Sequence, residues 1–315
     1  VIASVADYGN RLGVPYLNGD IYWQKIASQN DHISMVGLGL VRADKMIHAC
    51  VPHQAENHVI ILVGKTDFTT DFLQSDVAEY DQSALREVFE KFRGKQPDAV
   101  LQRHLLKAND ALFKLLSEHE MQDAVAFKSV GSRGMILTLL ELVGSRGVGV
   151  EIDFEKISIE STELEACAIL CSRLQEGAIW IVPAPIASII LQHYNNTYDL
   201  SQVSVGASAV VIGKIRSDHK CVVTYRGKHL IEVSVADLLS DTDGEARQEP
   251  QRSERAKFST LPVAEPIDYE AVLLALLANE NIVSRKLIHA LHDKQVQGHT
   301  LIEAGSADAT VLQPF

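Results

Sequence analysis

Apolar residues recur three or four positions apart in several long stretches of the chain, and this spacing predicts amphipathic helices. The longest stretch covers residues 99–120, where Leu101, Leu105, Leu112 and Leu116 share one face. The same pattern predicts helices over 1–13, 83–94, 162–174 and 185–194, within 131–147, and twice within 268–293.

Short apolar or alternating runs bounded by turn residues predict β-strands. They cover 14–23, 32–44, 58–66, 124–127, 148–159, 177–182, 208–215, 299–305 and 309–313. Residues 220–235 predict a hairpin around Arg226-Gly227. Because strands alternate with helices from 58 to 240, the predicted fold class is α/β (α+β) with a mixed sheet.

One segment breaks this alternation. Residues 240–266, SDTDGEARQEPQRSERAKFSTLPVAEP, are charged and contain prolines with almost no core-forming side chains, which predicts a linker. The tail that follows is too short for a core of its own, so we interpret it as the opening of another domain. The chain also begins at Val1 inside a helical pattern, so we expect a piece of a longer polypeptide.

Composition narrows the classes of partner. The net charge of −12 over 315 residues argues against a nucleic-acid binder, which needs clustered Lys and Arg. The most apolar run, residues 177–191, contains two prolines and is shorter than the ~20 residues of a membrane-spanning helix. We therefore expect no nucleic-acid partner and no membrane segment.

The four cysteines form neither a disulfide framework nor a zinc pattern, which is typical of a cytoplasmic protein. Cys167 and Cys171 lie one helical turn apart. Two core-facing thiols are favoured over a metal pair there, because no further ligand stands at the right spacing. The chain has no Walker loop, Rossmann fingerprint or Ser-His-Asp arrangement.

Several motifs occur in the order known from one enzyme family. The family's DYGNxxGxPTxxGE segment is matched by DYGNRLGVPYLNGD from Asp7 to Asp20, and its GGVGVEID stretch by SRGVGVEID at 145–153. SRKLIHALHDKQVQG at 284–298 and Asp308-Ala309-Thr310-Val311 match two later segments. Over nearly its whole length, the chain therefore resembles the large subunit of phosphoribosylformylglycinamidine synthase, in the aminoimidazole-ribotide-synthetase-like superfamily.

This resemblance implies a domain map. Residues 1–53 correspond to the end of the first half's N-domain and 54–240 to its synthetase-like C-domain. Residues 241–266 are the linker, and 267–315 begin the second half's N-domain.

The resemblance also implies a reaction. The family converts an amide to an amidine with ATP and ammonia from glutamine: ATP activates the amide oxygen and ammonia displaces phosphate. It implies ATP and Mg²⁺ as cofactors, a small nucleotide substrate, and as partners the rest of the synthase chain and a glutaminase domain or subunit. Mg²⁺ in such chemistry is held by carboxylate oxygens.

Carried onto this chain, the resemblance assigns substrate contacts to Gln175 and Arg173, within the triplet aligned with the family's ESQ. It places Gly19, Asp20 and Asp308 on the nucleotide side. No catalytic residue and no metal ligand is assigned.

Other aligned positions differ from the family. The glycine-rich GRDGIGGA turn corresponds to residues 65–75, where the glycines are missing. Leu101 and His104 stand at the Gln and Asp positions of QVGDP, and Ser129 replaces a Mg²⁺-binding aspartate. Two hypotheses follow: a working ligase whose metal ligands come from elsewhere in the full chain, or a degenerate half that keeps the fold as a scaffold.

Individual polar residues have alternative interpretations. Asp7 and Asp20 are either ligand-side acids or turn and capping residues. Asp308 is a ligand-side acid or a strand-end cap. Arg133 either meets an anion at a helix N-terminus or lies on the surface, and Arg173 alternatively interacts with a helix dipole.

His104 is more typical of a hydrogen-bonded or exposed histidine than of a catalyst. His289, His292 and His299 receive no role.

Overall fold

The computed structural model describes residues 2–23, 34–65, 98–130, 134–157, 177–240 and 265–313, the last range without 285, 287–289, 296 and 297. The chain divides into two compact units. The larger unit is Gly39–Asp241, and the smaller unit joins Val1–Leu38 with Thr242–Phe315.

A mixed sheet of seven strands forms the larger unit. The strands are β1 Val59–Gly64, β2 Ala126–Ser129, β3 Gly149–Asp153, β4 Gly177–Val182, β5 Ser208–Arg216, β6 Lys220–Tyr225 and β7 Lys228–Ser234. Their order is β2-β4-β1-β5-β3-β6-β7, and only the β3–β6 pair is parallel. The predicted α/β class with a mixed sheet is confirmed.

Helices connect these strands as the periodicity predicts. In chain order the helices among the described residues are α1 Ile2–Leu12, α2 Ala99–Glu118, α3 Gly134–Gly144, α4 Ala184–Gln192, α5 Leu200–Val203, α6 Val235–Leu239 and α7 Tyr269–Leu277. A π-helical turn, His193–Thr197, follows α4, and short 3₁₀ turns lie at Ala43–Lys45, Gln122–Ala124 and Phe154–Lys156. Gly13 ends α1 with a positive φ of 78°, as expected of a glycine at this position.

Both faces of the sheet are covered. Ile60 and Leu62 of β1 pack on one face with Leu139 of α3. Ile61 and Val63 pack on the other face with α2 and α4. Alternate residues of one strand thus enter two cores, which explains why β1 is a continuous apolar run.

The predicted hairpin of β6 and β7 is confirmed. Arg226 and Gly227 form its turn with φ angles of 50° and 69°. Two consecutive positive φ angles are characteristic of the type I′ turns that join twisted antiparallel strands, and glycine adopts them without strain.

The smaller unit contains α1, α7 and the antiparallel pair β8 Thr300–Ile302 and β9 Val311–Leu312. The strands predicted at 299–305 and 309–313 are therefore confirmed. Among its described residues, the buried apolar side chains are Ala6 and Ala304.

The strands predicted at 14–23 and 32–44 are wrong where the chain is described, because 14–23 and 34–42 carry no strand. Strand structure needs a ladder of backbone partners. At Trp23 the backbone instead pairs with the side-chain amide of Asn281, at 2.7 and 2.9 Å.

Some predicted elements lie outside the described residues: the helices at 83–94 and 162–174 and most of the linker at 241–266. Within the described ranges, no helix is both long and apolar enough to cross a membrane.

Candidate functional site

One end of the seven-stranded sheet contains the described parts of two stretches that the family resemblance aligns with ligand-binding motifs. Gly64 ends β1 and pairs with Gly177 of β4 and Ser208 of β5. Ser129 ends β2 and pairs with Ala178. We call this end of the sheet the Gly64 edge.

The described parts of two aligned segments lie at this edge: Lys65, which follows β1, and Ser129 with Val130 at the end of β2. The rest of residues 65–75, residues 131–133 and the 173–175 triplet lie outside the described residues. Strands β1, β2 and β3 all run toward the Gly64 edge, since β4 and β5 are antiparallel to their neighbours. The topology therefore brings Lys65 and Ser129, from two separate motifs, to the same edge of the sheet.

Glycines shape the backbone at this edge. Gly64 has a φ of 122° and Gly134, which begins α3, a φ of 81°. Both angles are strained for residues with a side chain. The Val130 amide donates to the Gly177 carbonyl at 2.8 Å and continues the pairing one residue past β2.

The carboxylate of Asp98 lies close enough to Lys65 for the two charges to interact. Its Oδ1 accepts from the Leu101 amide at 2.9 Å, which caps α2, and its Oδ2 accepts from the Ser204 hydroxyl at 2.7 Å. Burial raises the pKa of Asp98, but these hydrogen bonds and the charge of Lys65 outweigh burial, so its pKa lies below the ordinary value. The carboxylate thus acts as a structural acceptor.

The aligned positions on α2 face the protein interior rather than a ligand. Leu101 is fully buried in the core. The His104 Nε2–H donates to the Tyr198 carbonyl at 2.6 Å, which fixes the imidazole by a backbone contact. Ser129, at the metal-ligand position, is exposed and neutral.

The nucleotide-side positions Gly19 and Asp20 lie in a local turn of the smaller unit. The Gly19 amide donates to Asn18 Oδ1, and the Ile21 amide donates to Asp20 Oδ1, both at 2.8 Å. A Cβ at Gly19 would stand 2.2 Å from the Tyr16 hydroxyl, so this position excludes larger residues unless Tyr16 moves.

Asp308 lies on a segment that contacts this turn region. The Thr310 hydroxyl donates to the Leu17 carbonyl at 2.6 Å, although the two residues are 293 positions apart. Asp308 itself is exposed. The structure thus brings together the segments of the three nucleotide-side residues predicted from the sequence.

Asp7 is engaged locally. Its Oδ1 accepts from Arg11 Nε at 3.1 Å across one turn of α1, and both side chains are exposed. Asp7 therefore forms an exposed ion pair within α1, and the choice between a ligand-side acid and a turn or capping residue stays open. Arg133, Arg173 and Gln175 lie outside the described residues, as do Cys167 and Cys171.

Sequence reasoning missed the contacts of Asn10, Tyr16 and His292. His292 received no role, yet its ring stacks on Tyr16 with centroids 3.9 Å apart. No local signal could have revealed this contact, because the partners are far apart along the chain.

A magnesium site needs several carboxylate or other oxygen ligands. In the described ranges, no group of three or more His, Cys, Asp or Glu side chains is arranged to hold a metal ion. The described residues alone therefore form no all-protein metal cage, whereas Mg²⁺ usually completes its shell with waters and substrate phosphates.

No protein-family model matches the chain. Among curated proteins, phosphoribosylformylglycinamidine synthase subunit PurL of Methanothrix thermoacetophila is 31% identical over 327 residues, covering 100% of this chain. The same subunit of Parasynechococcus marenigrum is 26% identical over 99% of the chain. The chain is a PurL-like segment. It spans 40% and 39% of the length of these two relatives.

Solved structures show the same fold. A structure of PurLQS from Thermotoga maritima matches with a TM-score of 0.65 and 18% identity, over 99% of this chain and 44% of that chain. T. maritima PurL complexed with FGAR matches with a TM-score of 0.56 and 20% identity, over 75% of this chain and 36% of that one. The PurL-like segment therefore has the aminoimidazole-ribotide-synthetase-like fold.

Proposed function

We propose that this PurL-like segment belongs to an ATP-dependent ligase that converts formylglycinamide ribonucleotide to its amidine with glutamine-derived ammonia, in purine biosynthesis. The observation that carries the proposal is the 31% identity to a PurL subunit along the entire chain. The position of Lys65 and Ser129, the described parts of two aligned motifs, at the same Gly64 edge supports it.

The domain map is part of the proposal. Residues 1–53 end the first N-domain, 54–240 form the first C-domain, 241–266 link the halves, and 267–315 begin the second N-domain. Clustering of Val1–Leu38 with Thr242–Phe315 in one compact unit supports a pairing of N-domain pieces across the linker.

Ligands and partners follow the same reasoning. We assign substrate contacts to Gln175 and Arg173, and the nucleotide side to Gly19, Asp20 and Asp308. T. maritima PurL has been solved in complex with ATP and in complex with AMPPCP, and these structures support nucleotide binding in the full protein. The PurLQS structure supports an assembly with further subunits, and we propose that one of them is a glutaminase. We place this assembly in the cytoplasm.

A second function is favoured by specific observations. Ser129 is neutral, Leu101 is buried, and the described residues offer no carboxylate cluster for Mg²⁺. A catalytically degenerate segment that keeps the fold as a scaffold or regulatory part would show these features. In the ligase hypothesis, the metal ligands come from residues outside the described set.

The deciding experiment measures amidine formation by the full-length protein with ammonia, ATP and Mg²⁺. The ligase hypothesis expects turnover that Gln175→Ala lowers by about tenfold or more, since substrate binding energy is lost. Gln202→Ala, which changes an exposed residue of the same unit, is the matched control and should leave turnover unchanged.

Folded full-length protein without turnover would contradict the ligase hypothesis and favour the scaffold. Turnover unaffected by Gln175→Ala would remove this residue from the substrate site.

A further inference from the structure

The side-chain amide of Asn10 joins two distant parts of the smaller unit. Its Nδ2 donates to the Leu291 carbonyl at 3.1 Å, and its Oδ1 accepts from the Asp293 amide at 2.8 Å. These partners lie 281 and 283 positions away along the chain. A two-point contact fixes both the distance and the orientation of the segments, which a single hydrogen bond does not.

The residue between these two partners makes a second contact. The His292 ring stacks on Tyr16 at 3.9 Å with an interplanar angle of 18°. A Cβ at Gly19 would meet the Tyr16 hydroxyl, so the Tyr16 side chain lies directly beside the Asn18–Asp20 turn. The negative charge of Asp20 also acts on the Tyr16 hydroxyl.

A third contact lies on the segment that carries Asp308. The Thr310 hydroxyl donates to the Leu17 carbonyl at 2.6 Å, immediately before the turn. The residues that lead into the turn are therefore contacted by two distant segments, Tyr16 by His292 and Leu17 by Thr310. Within the turn, the Gly19 amide donates to Asn18 Oδ1, and Asp20 Oδ1 accepts from the Ile21 amide.

We infer that Asn10 and His292 are positioning residues, which set the Asn18–Asp20 turn against the 308–310 segment so that the two segments act as one nucleotide-side surface. This inference rests on the proposed function for the identity of the ligand. It adds that ligand binding at a turn near the beginning of the chain depends on docking of a segment about 280 residues further along.

The test uses the full-length protein and two readouts: amide hydrogen exchange of residues 17–21, and calorimetric titration with Mg²⁺-ATP. Asn10→Ala removes both hydrogen bonds, whereas Asn10→Asp keeps the acceptor for the Asp293 amide and loses the donor. His292→Ala removes the stack, whereas His292→Phe retains an aromatic ring. Asn196→Ala, at an exposed asparagine of the larger unit, is the matched control.

We expect exchange at 17–21 to accelerate about tenfold in Asn10→Ala and His292→Ala, with ATP affinity falling by a similar factor. Asn10→Asp should be intermediate, and His292→Phe and Asn196→Ala close to wild type. Amide exchange of β1, Val59–Gly64, reports the larger unit and should be the same in all variants. Rescue by phenylalanine with unchanged exchange of β1 separates positioning from a general loss of structure.

Unchanged exchange in both alanine variants would overturn the inference. Faster exchange with unaltered ATP affinity would overturn it as well, because the turn would then not face the ligand. If the wild-type protein bound no ATP, the proposed function would fail, while the exchange readout would still decide whether Asn10 and His292 hold the turn.

Discussion

The two units of the chain are stabilised by different means. The larger unit buries a continuous apolar core on each face of its sheet. In the smaller unit, distant segments are joined by side-chain amides and hydroxyls bonded to backbone, while apolar residues such as Ile267 and Val36 are 106% and 86% exposed. Burial supplies most folding free energy and polar contacts supply geometry. The apolar cores of the larger unit thus account for its stability. In the smaller unit, the polar contacts mainly fix how its distant segments are oriented.

The chain's two tryptophans allow this comparison to be tested, because Trp23 lies in the smaller unit and Trp180 in the larger one. In a Trp23→Phe background, Trp180 emission reports the larger unit alone. In a Trp180→Phe background, Trp23 reports the smaller unit. Since Asn281 bonds to the backbone of residue 23, the first replacement leaves that contact in place.

The largest effect is expected for Leu112→Ala. This α2 leucine is 0% exposed, and its truncation should lower the free energy of unfolding reported by Trp180 by about 2–5 kcal/mol, from lost burial and a cavity. Urea denaturation measures it. The matched variant Leu274→Ala, at a helical leucine of α7 that is 59% exposed, should change the Trp23-reported value by less than about 0.5 kcal/mol. Equal losses in the two variants would refute the comparison.

A smaller effect is expected for Tyr194→Phe. The buried Tyr194 hydroxyl accepts from Trp180 Nε1 at 3.1 Å and donates to Asn109 Oδ1 at 2.6 Å. Its removal leaves two buried polar atoms without this partner, so the larger unit should lose about 1–3 kcal/mol, again measured with urea.

The comparator for Tyr194→Phe is Asn281→Ala in the smaller unit, which removes an exposed two-point contact. Water can replace the lost amide there, so we expect a loss below about 1 kcal/mol from Trp23 emission. If Asn281→Ala lost more free energy of unfolding than Tyr194→Phe, polar contacts would supply stability as well as geometry in the smaller unit.

Among the variants of the larger unit, the smallest effect is expected for Asp98→Ala, which removes the cap of α2 and should cost about 1 kcal/mol at neutral pH. The pKa of Asp98 is lowered in the folded state, so its contribution is complete above the ordinary carboxyl pKa of about 3.9 and is lost as the pH falls through the folded value. Wild type and variant should therefore converge in acid, as urea titrations at several pH values would reveal.

Asp268→Ala is the matched control, because Asp268 caps α7 through the Ala271 amide at 3.0 Å. It should leave the Trp180-reported value unaltered. A difference between wild type and Asp98→Ala that grew in acid would contradict the assigned role of Asp98.

Much of the fold was predictable from local pattern. The spacing of Leu101, Leu105, Leu112 and Leu116 predicted the buried face of α2. Arg226-Gly227 predicted the turn of β6 and β7. These two predictions succeed because a helix face and a tight turn are determined by residues that are close together in the sequence. The strands predicted at 14–23 and 32–44 failed where the chain is described, since an apolar run is compatible with a strand but does not supply its partner.

The candidate site was only partly predictable. Motif resemblance singled out Gly19, Asp20 and Asp308, and the structure brings their segments together through Thr310 and Leu17. The assignments to Gln175 and Arg173 stay predictions. Leu101, aligned with a ligand-contacting position, is core. Alignment gives the position of a residue along the chain, whereas burial depends on what packs against it.

The sequence by itself determined the periodic helices, the apolar strands, the glycine turns and the similarity to PurL, because each depends on residue identity at short range. Only the tertiary structure decided the strand order β2-β4-β1-β5-β3-β6-β7, the position of Lys65 and Ser129 at the same Gly64 edge, and the contacts of Asn10 and His292. Those features join residues far apart in the chain, and such pairings are selected by the packing of the whole molecule rather than by local preference.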